Sequence, residues 1–239
     1  EAIAKRKINK TNRDKLATKK VFSAKRRLEK IPKALAIKIG KENIFTGATA
    51  ALVTPQSDQW TTSFSIEDKE YQIKSQRVIT TTGGHALAQL LPFIESNLMR
   101  KITQLHYAPV TQVSVGVKDT EGLSFNAFGG LVPSCENKNV LGILYPSACF
   151  DHRAPKGGAL FSFFIGGVKH VELTQLNDAD LKDLVITNFH EMLKFPNHKK
   201  PDLIHIFRHQ YAIPQYEITS GERFEAISTI EQKYKGLQI

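Results

Sequence analysis

The sequence predicts an α+β fold organised around a mixed β-sheet with packed helices. Short runs rich in β-branched and aromatic residues, bounded by Gly, Pro, Ser or Asp, recur along the chain and are typical of strands. Other segments carry apolar residues at helical spacing. The chain has 239 residues, of which 41% are hydrophobic, so it can bury the core of one large or two small domains. No internal repeat is visible.

The first hundred residues predict a helix, a β-meander and a glycine turn. Apolar residues at near-helical spacing indicate a helix over 28–39, with Pro32 setting its regular start near Ile31 and Gly40 ending it. A buried strand is expected to enter the turn at Gly83 and Gly84, and a helical stretch follows it over 85–91. The strand-like runs of the meander are 44–46, 51–53, 60–66 and 71–73.

The second half of the chain predicts the main sheet and two helices. The run 159–165 is apolar on both faces, so we expect it to be the central strand. Asn177 is a candidate N-cap for a helix that ends near Leu193. A last helix is predicted over 221–234. The other predicted strands are 110–117, 141–145 and 203–208.

Basic charge is concentrated at the start of the chain. Residues 1–41 hold 15 Lys or Arg and only three acids, whereas the remaining residues sum to about −2 out of a total of +10. This stretch has no aromatic residue before Phe22, so it lacks the stacking groups that usually accompany nucleic-acid binding. We therefore expect residues 1–20 to be a flexible basic arm that faces solvent or anionic lipid, with no nucleic-acid partner.

Several classes of protein are disfavoured by what the sequence lacks. No apolar run approaches the roughly 20 residues of a membrane-spanning helix, and the start resembles no secretion signal. Cys135 and Cys149 stand among apolar and small residues and form no ordered cysteine framework, which favours a reduced cytosolic location. His205 and His209 would span a strand end rather than share a helix face. No hydrolase, metalloprotease or phosphate-loop motif is present, so we predict neither catalytic residues nor a metal site.

The predicted loops between the strands of the second half are rich in bulky apolar residues and glycine. Phe125, Phe128, Gly129, Gly130 and Phe150 are examples. Such loops suit a flat hydrophobic ligand, which needs apolar faces on both sides and glycine where the backbone comes close. They fit equally well a core that extends into its loops, and composition leaves both interpretations open.

An ordered series of motifs resembles the protoporphyrinogen/coproporphyrinogen oxidase family, FAD-dependent members of the amine-oxidase-like superfamily. The order of the motifs is far more specific than any one of them, and together they extend over most of residues 20–239. They are Leu-His-Tyr-Ala-Pro-Val-Thr-Gln-Val at 105–113, Phe-Gly-Gly-Leu-Val-Pro-Ser at 128–134, Leu-Gly-Ile-Leu-Tyr at 141–145, Arg-Ala-Pro at 153–155, Phe-Ile-Gly-Gly at 164–167 and His-Gln-Tyr-Ala-Ile-Pro-Gln-Tyr at 209–216.

The resemblance implies two parts and a redox function. Residues 21–100 and the returning helix 221–239 would belong to a discontinuous FAD-binding domain, and residues 101–220 to a substrate-binding domain with a mixed sheet. The family transfers hydride from a porphyrinogen to the flavin, with oxygen as the final acceptor, in haem biosynthesis. Catalysis there is largely the orientation of the ligand against the cofactor.

The resemblance also implies roles for individual residues. Leu131 and Phe150 would lie on opposite faces of the tetrapyrrole, with Ile143 as a further wall residue. On the cofactor side, one position would approach the adenine of FAD and three would run beside the flavin. These positions are Ala50 for the adenine and Thr81, Thr82 and Gly83 for the flavin.

Three departures from the family pattern qualify this expectation. The glycine fingerprint for the FAD pyrophosphate is absent, the glycine-rich flavin segment expected after Leu237 is missing, and Arg26 and Arg27 stand where the family usually has two glycines. We therefore expect a substrate-domain fragment whose parent chain binds FAD and which is inactive alone. The sequence leaves open the oligomeric state and a substrate with two or four propionates.

Two other functions remain as hypotheses. A flavin-free relative could bind tetrapyrroles without oxidising them. A membrane-surface module could use the basic arm, and the intact enzyme could likewise be cytoplasmic and peripheral to the inner face of a membrane.

Overall fold

The computed structural model describes residues 11–16, 22–24 and 28–239, which divide into a unit up to Lys41 and a unit from Glu42 to Ile239. The first unit contains helices α1 (Asn12–Leu16) and α2 (Lys30–Ile39). Helix α2 has Pro32 in its first turn and ends at Gly40, as the sequence predicts. The rest of the predicted basic arm, and Arg26 with Arg27, lie outside the described residues.

The second unit begins with the predicted β-meander. Strands β1 (Thr49–Pro55), β2 (Trp60–Ile66) and β3 (Lys69–Ser75) pair antiparallel in the order β1-β2-β3. The predicted strand at 44–46 is wrong, because this run is irregular and Phe45 instead packs its ring against Phe64, with centroids 5.3 Å apart. The apolar character of the run therefore reflects packing on the meander and not strand pairing.

A hydrophobic cluster, separate from the core of the main sheet, joins the meander to residues near both ends of the second unit. Strand β4 (Val78–Ile79) pairs parallel with β10 (Leu237–Gln238), and nearby lie α3 (Leu87–Leu90), α4 (Ser96–Thr103) and α7 (Ser220–Lys233). The buried strand predicted before Gly83 is wrong in both length and burial, since β4 has two residues and Ile79 is 67% exposed. The buried members of the cluster are Val53, Trp60, Leu87, Leu91, Ile94, Met99, Ile102, Ala226, Ile230 and Leu237.

The main sheet has the strand order β6-β7-β8-β5-β9. Its strands are β5 (Tyr107–Val117), β6 (Gly129–Leu131), β7 (Gly142–Leu144), β8 (Ala159–Gly166) and β9 (Leu203–Pro214). The predicted α+β class is confirmed, and β8 is central as expected. The sheet itself is not mixed, because every described pairing within it is antiparallel and the parallel pairing belongs to β4 and β10. Turns and loops can join antiparallel neighbours, so crossover helices are not required.

Helix α6 (Asp178–Leu193) covers one face of this sheet. The side-chain oxygen of Asn177 accepts hydrogen bonds from the amides of Ala179 and Asp180 at 2.9 and 3.0 Å, which confirms the predicted N-cap. Leu181, Val185 and Phe189 face the sheet and are fully buried. The core between helix and sheet is completed by Val113, Val115, Val117, Val140, Ile143, Ala159, Phe161, Phe163, Ile165, Leu193 and Phe195.

Two cores thus support the second unit, one around the sheet and one around the meander and α7. They draw on the ranges that the sequence assigned to the substrate and FAD parts, although those roles stay predictions. None of the helices in the described ranges is both long and apolar enough to span a bilayer.

Candidate functional site

The five-stranded sheet has a second face, opposite the one that α6 covers. Strand side chains alternate between the two faces, so Gln112 and Ser114 lie opposite the buried Val113 and Val115. We call this second surface the open face. It is formed by two cross-strand rows, of which the first is Leu131, Gly142, Phe164, Gln112 and Phe207, and the second is Gly129, Leu144, Ser162, Ser114 and His205.

The open face combines apolar side chains with a few polar groups. Leu131 is 86% exposed, Phe207 is also exposed, and Phe164 is half-buried. Gly142, which stands between Leu131 and Phe164 in the first row, is itself buried, and Leu131 Cδ2 lies 3.1 Å from the position that a Cβ on Gly142 would take. The polar groups include Gln112, whose amide donates to Ser162 Oγ at 3.3 Å. A flat apolar ligand with a few hydrogen-bonding groups fits such a surface.

The structure separates the three residues that the sequence assigned to the substrate. Leu131 lies on the open face. Ile143 is 3% exposed and belongs to the core under α6, so its assignment as a wall residue is wrong. The cause is strand alternation, because the neighbouring residue Leu144 is the one that lies on the open face.

Phe150 lies outside the sheet, directly after the short helix α5 (Pro146–Cys149). Its ring is half-buried, and the guanidinium of Arg153 sits 5.9 Å from the ring centroid. A role for Phe150 against a tetrapyrrole stays a prediction. The aromatic residues that the sheet places in one row with Leu131 are Phe164 and Phe207, neither of which the sequence analysis assigned to a site.

The predicted cofactor residues lie in exposed or half-buried segments. Ala50 is exposed and has a positive φ of 51°, at a point where the β1–β2 register shifts between Thr49 and Leu52. Such a conformation is costly for a residue other than glycine and is often associated with ligand sites. Thr81 and Thr82 are exposed, and Gly83 is half-buried, in the irregular segment after β4.

The segment that contains Thr81, Thr82 and Gly83 is held at both ends. Before it, the amide of Thr80 donates to the carbonyl of Gln238 at 2.9 Å. After it, the amide of Gly84 donates to the hydroxyl of Tyr107 at 3.0 Å. Because Tyr107 begins β5, this segment lies next to the five-stranded sheet.

These residues fit part of a flavin site. Thr81 and Thr82 are exposed, and Ala50 is exposed at a positive φ, so a planar ring could approach these residues. The sequence contains no Gly-x-Gly-x-x-Gly motif, so the phosphate-binding loop typical of dinucleotide sites is not among these residues.

The remaining ionisable groups have structural surroundings. The described residues contain no group of three or more His, Cys, Asp or Glu side chains that could hold a metal ion. Burial raises the pKa of the Tyr145 phenol, whose ring packs edge-on against Phe125 and Phe161. Both cysteines are exposed and unpaired with each other. On the open face itself, the imidazole of His205 lies in the second row, with its ring centroid 4.4 Å from that of Phe207.

Comparison with known proteins identifies the family to which this fold belongs. The family model described as "Flavin containing amine oxidoreductase" matches residues 3–226, and the chain belongs to this family. Protoporphyrinogen oxidase 1 from the chloroplast of Arabidopsis thaliana is 26% identical over 203 residues, which cover 82% of this chain and 38% of the relative. The predicted family resemblance and the oxidoreductase class of the parent family are confirmed.

Solved structures share the fold. A protein assigned as a protoporphyrinogen oxidase from Exiguobacterium sp. 255-15 superimposes with a TM-score of 0.72 at 15% identity, over 89% of this chain and 45% of that one. Reduced UDP-galactopyranose mutase gives a TM-score of 0.70 at 14% identity, over 87% of this chain and 44% of that one. The chain spans less than half the length of each of these relatives.

Proposed function

We propose that this chain is the substrate-binding part of an FAD-dependent porphyrinogen oxidase that uses oxygen as acceptor in haem biosynthesis. The observation that carries the proposal is the open face, where the side chains of Leu131, Leu144 and Phe164 lie on one surface of the sheet. The matched relatives named protoporphyrinogen oxidase support the proposed substrate class.

The chemistry divides between the chain and the cofactor. A bound flavin supplies the hydride acceptor. The chain's own residues bind the porphyrinogen on the open face, orient one of its bridging carbons and keep water from its apolar side chains. Thr81, Thr82 and Gly83 would support the flavin from the neighbouring segment. Orientation of the substrate against the cofactor accelerates such a transfer, and His205 is the imidazole in the two rows of the open face.

Porphyrin titration tests the substrate part of the proposal. Protoporphyrin and coproporphyrin, added to the purified chain and followed by fluorescence, should saturate a single site. Phe164→Ala should weaken binding by about tenfold, since an aromatic side chain contributes about 1.5–3 kcal/mol when it is covered by an apolar ligand. Phe224→Ala is the matched control, because Phe224 is exposed on α7, away from the sheet. Equal effects of the two substitutions, or no saturation, would contradict the proposal.

The same titration separates the two porphyrins and the second candidate function. A preference for coproporphyrin would indicate four carboxylate contacts, and a preference for protoporphyrin two. The alternative is a flavin-free tetrapyrrole-binding relative, which a parent protein of full length without a Gly-x-Gly-x-x-Gly motif would favour. Porphyrin binding without any FAD binding, in a parent protein of full length, would support that alternative.

Association with a membrane surface is a separate proposal that rests on the charge of residues 1–41. Such a segment would attract anionic lipid on the cytoplasmic side of a membrane. Co-sedimentation with vesicles containing phosphatidylserine should fall when residues 1–20 are deleted. Unchanged co-sedimentation would exclude the arm as the binding element.

A further inference from the structure

His85 lies between the segment after β4 and the substrate sheet. Its ring stacks on Tyr211 of β9, with centroids 3.7 Å apart and planes 9° from parallel. Tyr107 of β5 meets both rings edge-on, with centroid distances of 5.5 Å to each. These three residues form an aromatic cluster that draws on two strands of the sheet and one residue of the turn.

Gly83 lies against the His85 ring. A Cβ built on Gly83 would lie 2.6 Å from Cε1 and 2.7 Å from Nδ1 of His85, closer than real Cβ atoms approach a neighbour. A side chain at this position would therefore displace the His85 ring, although the φ of Gly83 is an ordinary −63°. The imidazole thus lies close both to Gly83 and to the ring of Tyr211.

Hydrogen bonding holds the same turn to the same cluster. The hydroxyl of Tyr107 accepts from the amide of Gly84 at 3.0 Å, and the amide of Ala86 donates to the carbonyl of Gly83 at 3.0 Å. Strand β4 supplies only two paired residues before the turn, so regular pairing fixes little of it. The aromatic cluster is consequently the main connection between the turn and the sheet among the described contacts.

We propose that His85 is a positioning residue, which fixes the backbone of Thr81, Thr82 and Gly83 at a set distance from the open face through its stack on Tyr211. This inference rests on the proposed function, in which that backbone supports the flavin and the open face binds the porphyrinogen. His85 then sets the spacing between the cofactor and the substrate while contacting neither reacting atom.

Amide hydrogen exchange tests the positioning role in the chain without any cofactor. His85→Ala should speed exchange at residues 81–86 by about tenfold, because stacked aromatic pairs stabilise a contact by up to about that factor. His85→Phe keeps the ring and should restore protection to within about threefold of the unchanged chain. The amides of β8 serve as an internal reference for global stability, so a variant that simply unfolds is recognised.

The partner residue provides a matched comparison. Tyr211→Leu should speed exchange at residues 81–86, whereas Tyr216→Leu should not, because Tyr216 is 90% exposed and lies outside the cluster. The double variant His85→Ala/Tyr211→Leu should be no more dynamic than either single variant. Additive effects, or an equal effect of Tyr216→Leu, would overturn the proposal.

FAD titration adds a readout of the cofactor. Where the unchanged chain quenches FAD fluorescence to saturation, His85→Ala should weaken affinity by about tenfold and His85→Phe should not. Where it shows no saturation, the flavin contact proposed for Thr81, Thr82 and Gly83 fails for this chain, and the exchange data alone decide the role of His85. A failure of the proposed flavin contact can therefore be told apart from a failure of the positioning role of His85.

Discussion

The two faces of the five-stranded sheet are made by the same strands but differ in burial. On the covered face, Val113, Phe161 and Phe163 are completely buried beneath α6. On the open face, Gln112 and Phe164 are half-buried, and Ser162, which is 6% exposed, accepts a hydrogen bond from Gln112. Folding requires the first set to be apolar and closely packed. Under the proposed function, the apolar members of the second set contact the ligand.

The adjacent phenylalanines of β8 give the largest expected contrast. Phe163→Ala removes a fully buried ring and should lower the free energy of unfolding by about 3–5 kcal/mol. Phe164→Ala, one residue on, should cost only about 1 kcal/mol because the side chain is half-buried. Urea denaturation of both variants measures the difference. Comparable losses would mean that the open face is also part of the packed interior.

Two adjacent glycines of β6 test how the edge of the open face is built. Gly129 has a φ of 132°, and a Cβ there would overlap the carbonyl of Ile143 and lie 2.7 Å from Leu144 Cα. Gly129→Ala should therefore lower the free energy of unfolding by about 2–3 kcal/mol and separate β6 from β7.

Gly130→Ala is the control for this change, because nothing lies within 4 Å of its added Cβ. Its effect should stay within about 0.5 kcal/mol. Porphyrin affinity should fall in the first variant, which displaces Leu131, and stay constant in the second. An equal loss of stability in both would show that strand propensity, and not the close approach to β7, decides the outcome.

Local sequence signals predicted a large part of this fold. The Asn177 cap, the apolar spacing of α6, the meander turns and the central position of β8 all follow from residues close together in the chain. The length and burial of strand β4 were overestimated, because its partner β10 lies about 160 residues away and pairs with only two of its residues. Phe45 was predicted to lie in a strand because side-chain packing on a sheet and strand pairing within it favour the same residue types.

The candidate site was less predictable, for a specific physical reason. Leu131 could be found because its motif is distinctive. Ile143 and Leu144 differ by one position, and that single step exchanges the two faces of a strand. Phe164 was hidden in a run that is apolar on both faces, so alternation could not say which phenylalanine faces α6. Only the register with β5 and β7 separates it from Phe163.

The N-cap of α6 provides a smaller test on the covered face. Asn177→Ala removes the acceptor for two amides at the start of the helix and should lower the free energy of unfolding by about 1 kcal/mol. Asn177→Asp keeps the acceptor and should retain most of the stability. Thermal unfolding of both measures the effect. Similar losses in the two variants would indicate that the bond from the Asn177 amide to Asp180, 2.8 Å long, matters more than the cap.

The smallest effect is expected where the loop before β7 meets α6. Lys138 Nζ lies 2.8 Å from Glu191 Oε2, and this contact lowers the pKa of the Glu191 carboxyl and raises the pKa of the Lys138 ammonium. The lowered carboxyl pKa means that its stabilisation is present above the ordinary glutamate range and is lost as pH falls through the folded-state pKa. The raised ammonium pKa means that its stabilisation is lost as pH rises through the lysine range. Both groups are exposed, so salt should screen the pair.

Glu191→Gln measures this contribution by difference. The urea midpoints of the unchanged chain and of Glu191→Gln should differ slightly at neutral pH and low salt, and converge both in acid and at high salt. Glu225→Gln, on the exposed side of α7, is the control for loss of an exposed carboxylate. A difference that persists in acid could not come from the ion pair. It would instead mean that Glu191 supports α6 through its side-chain packing, and the covered face would then extend to the helix surface.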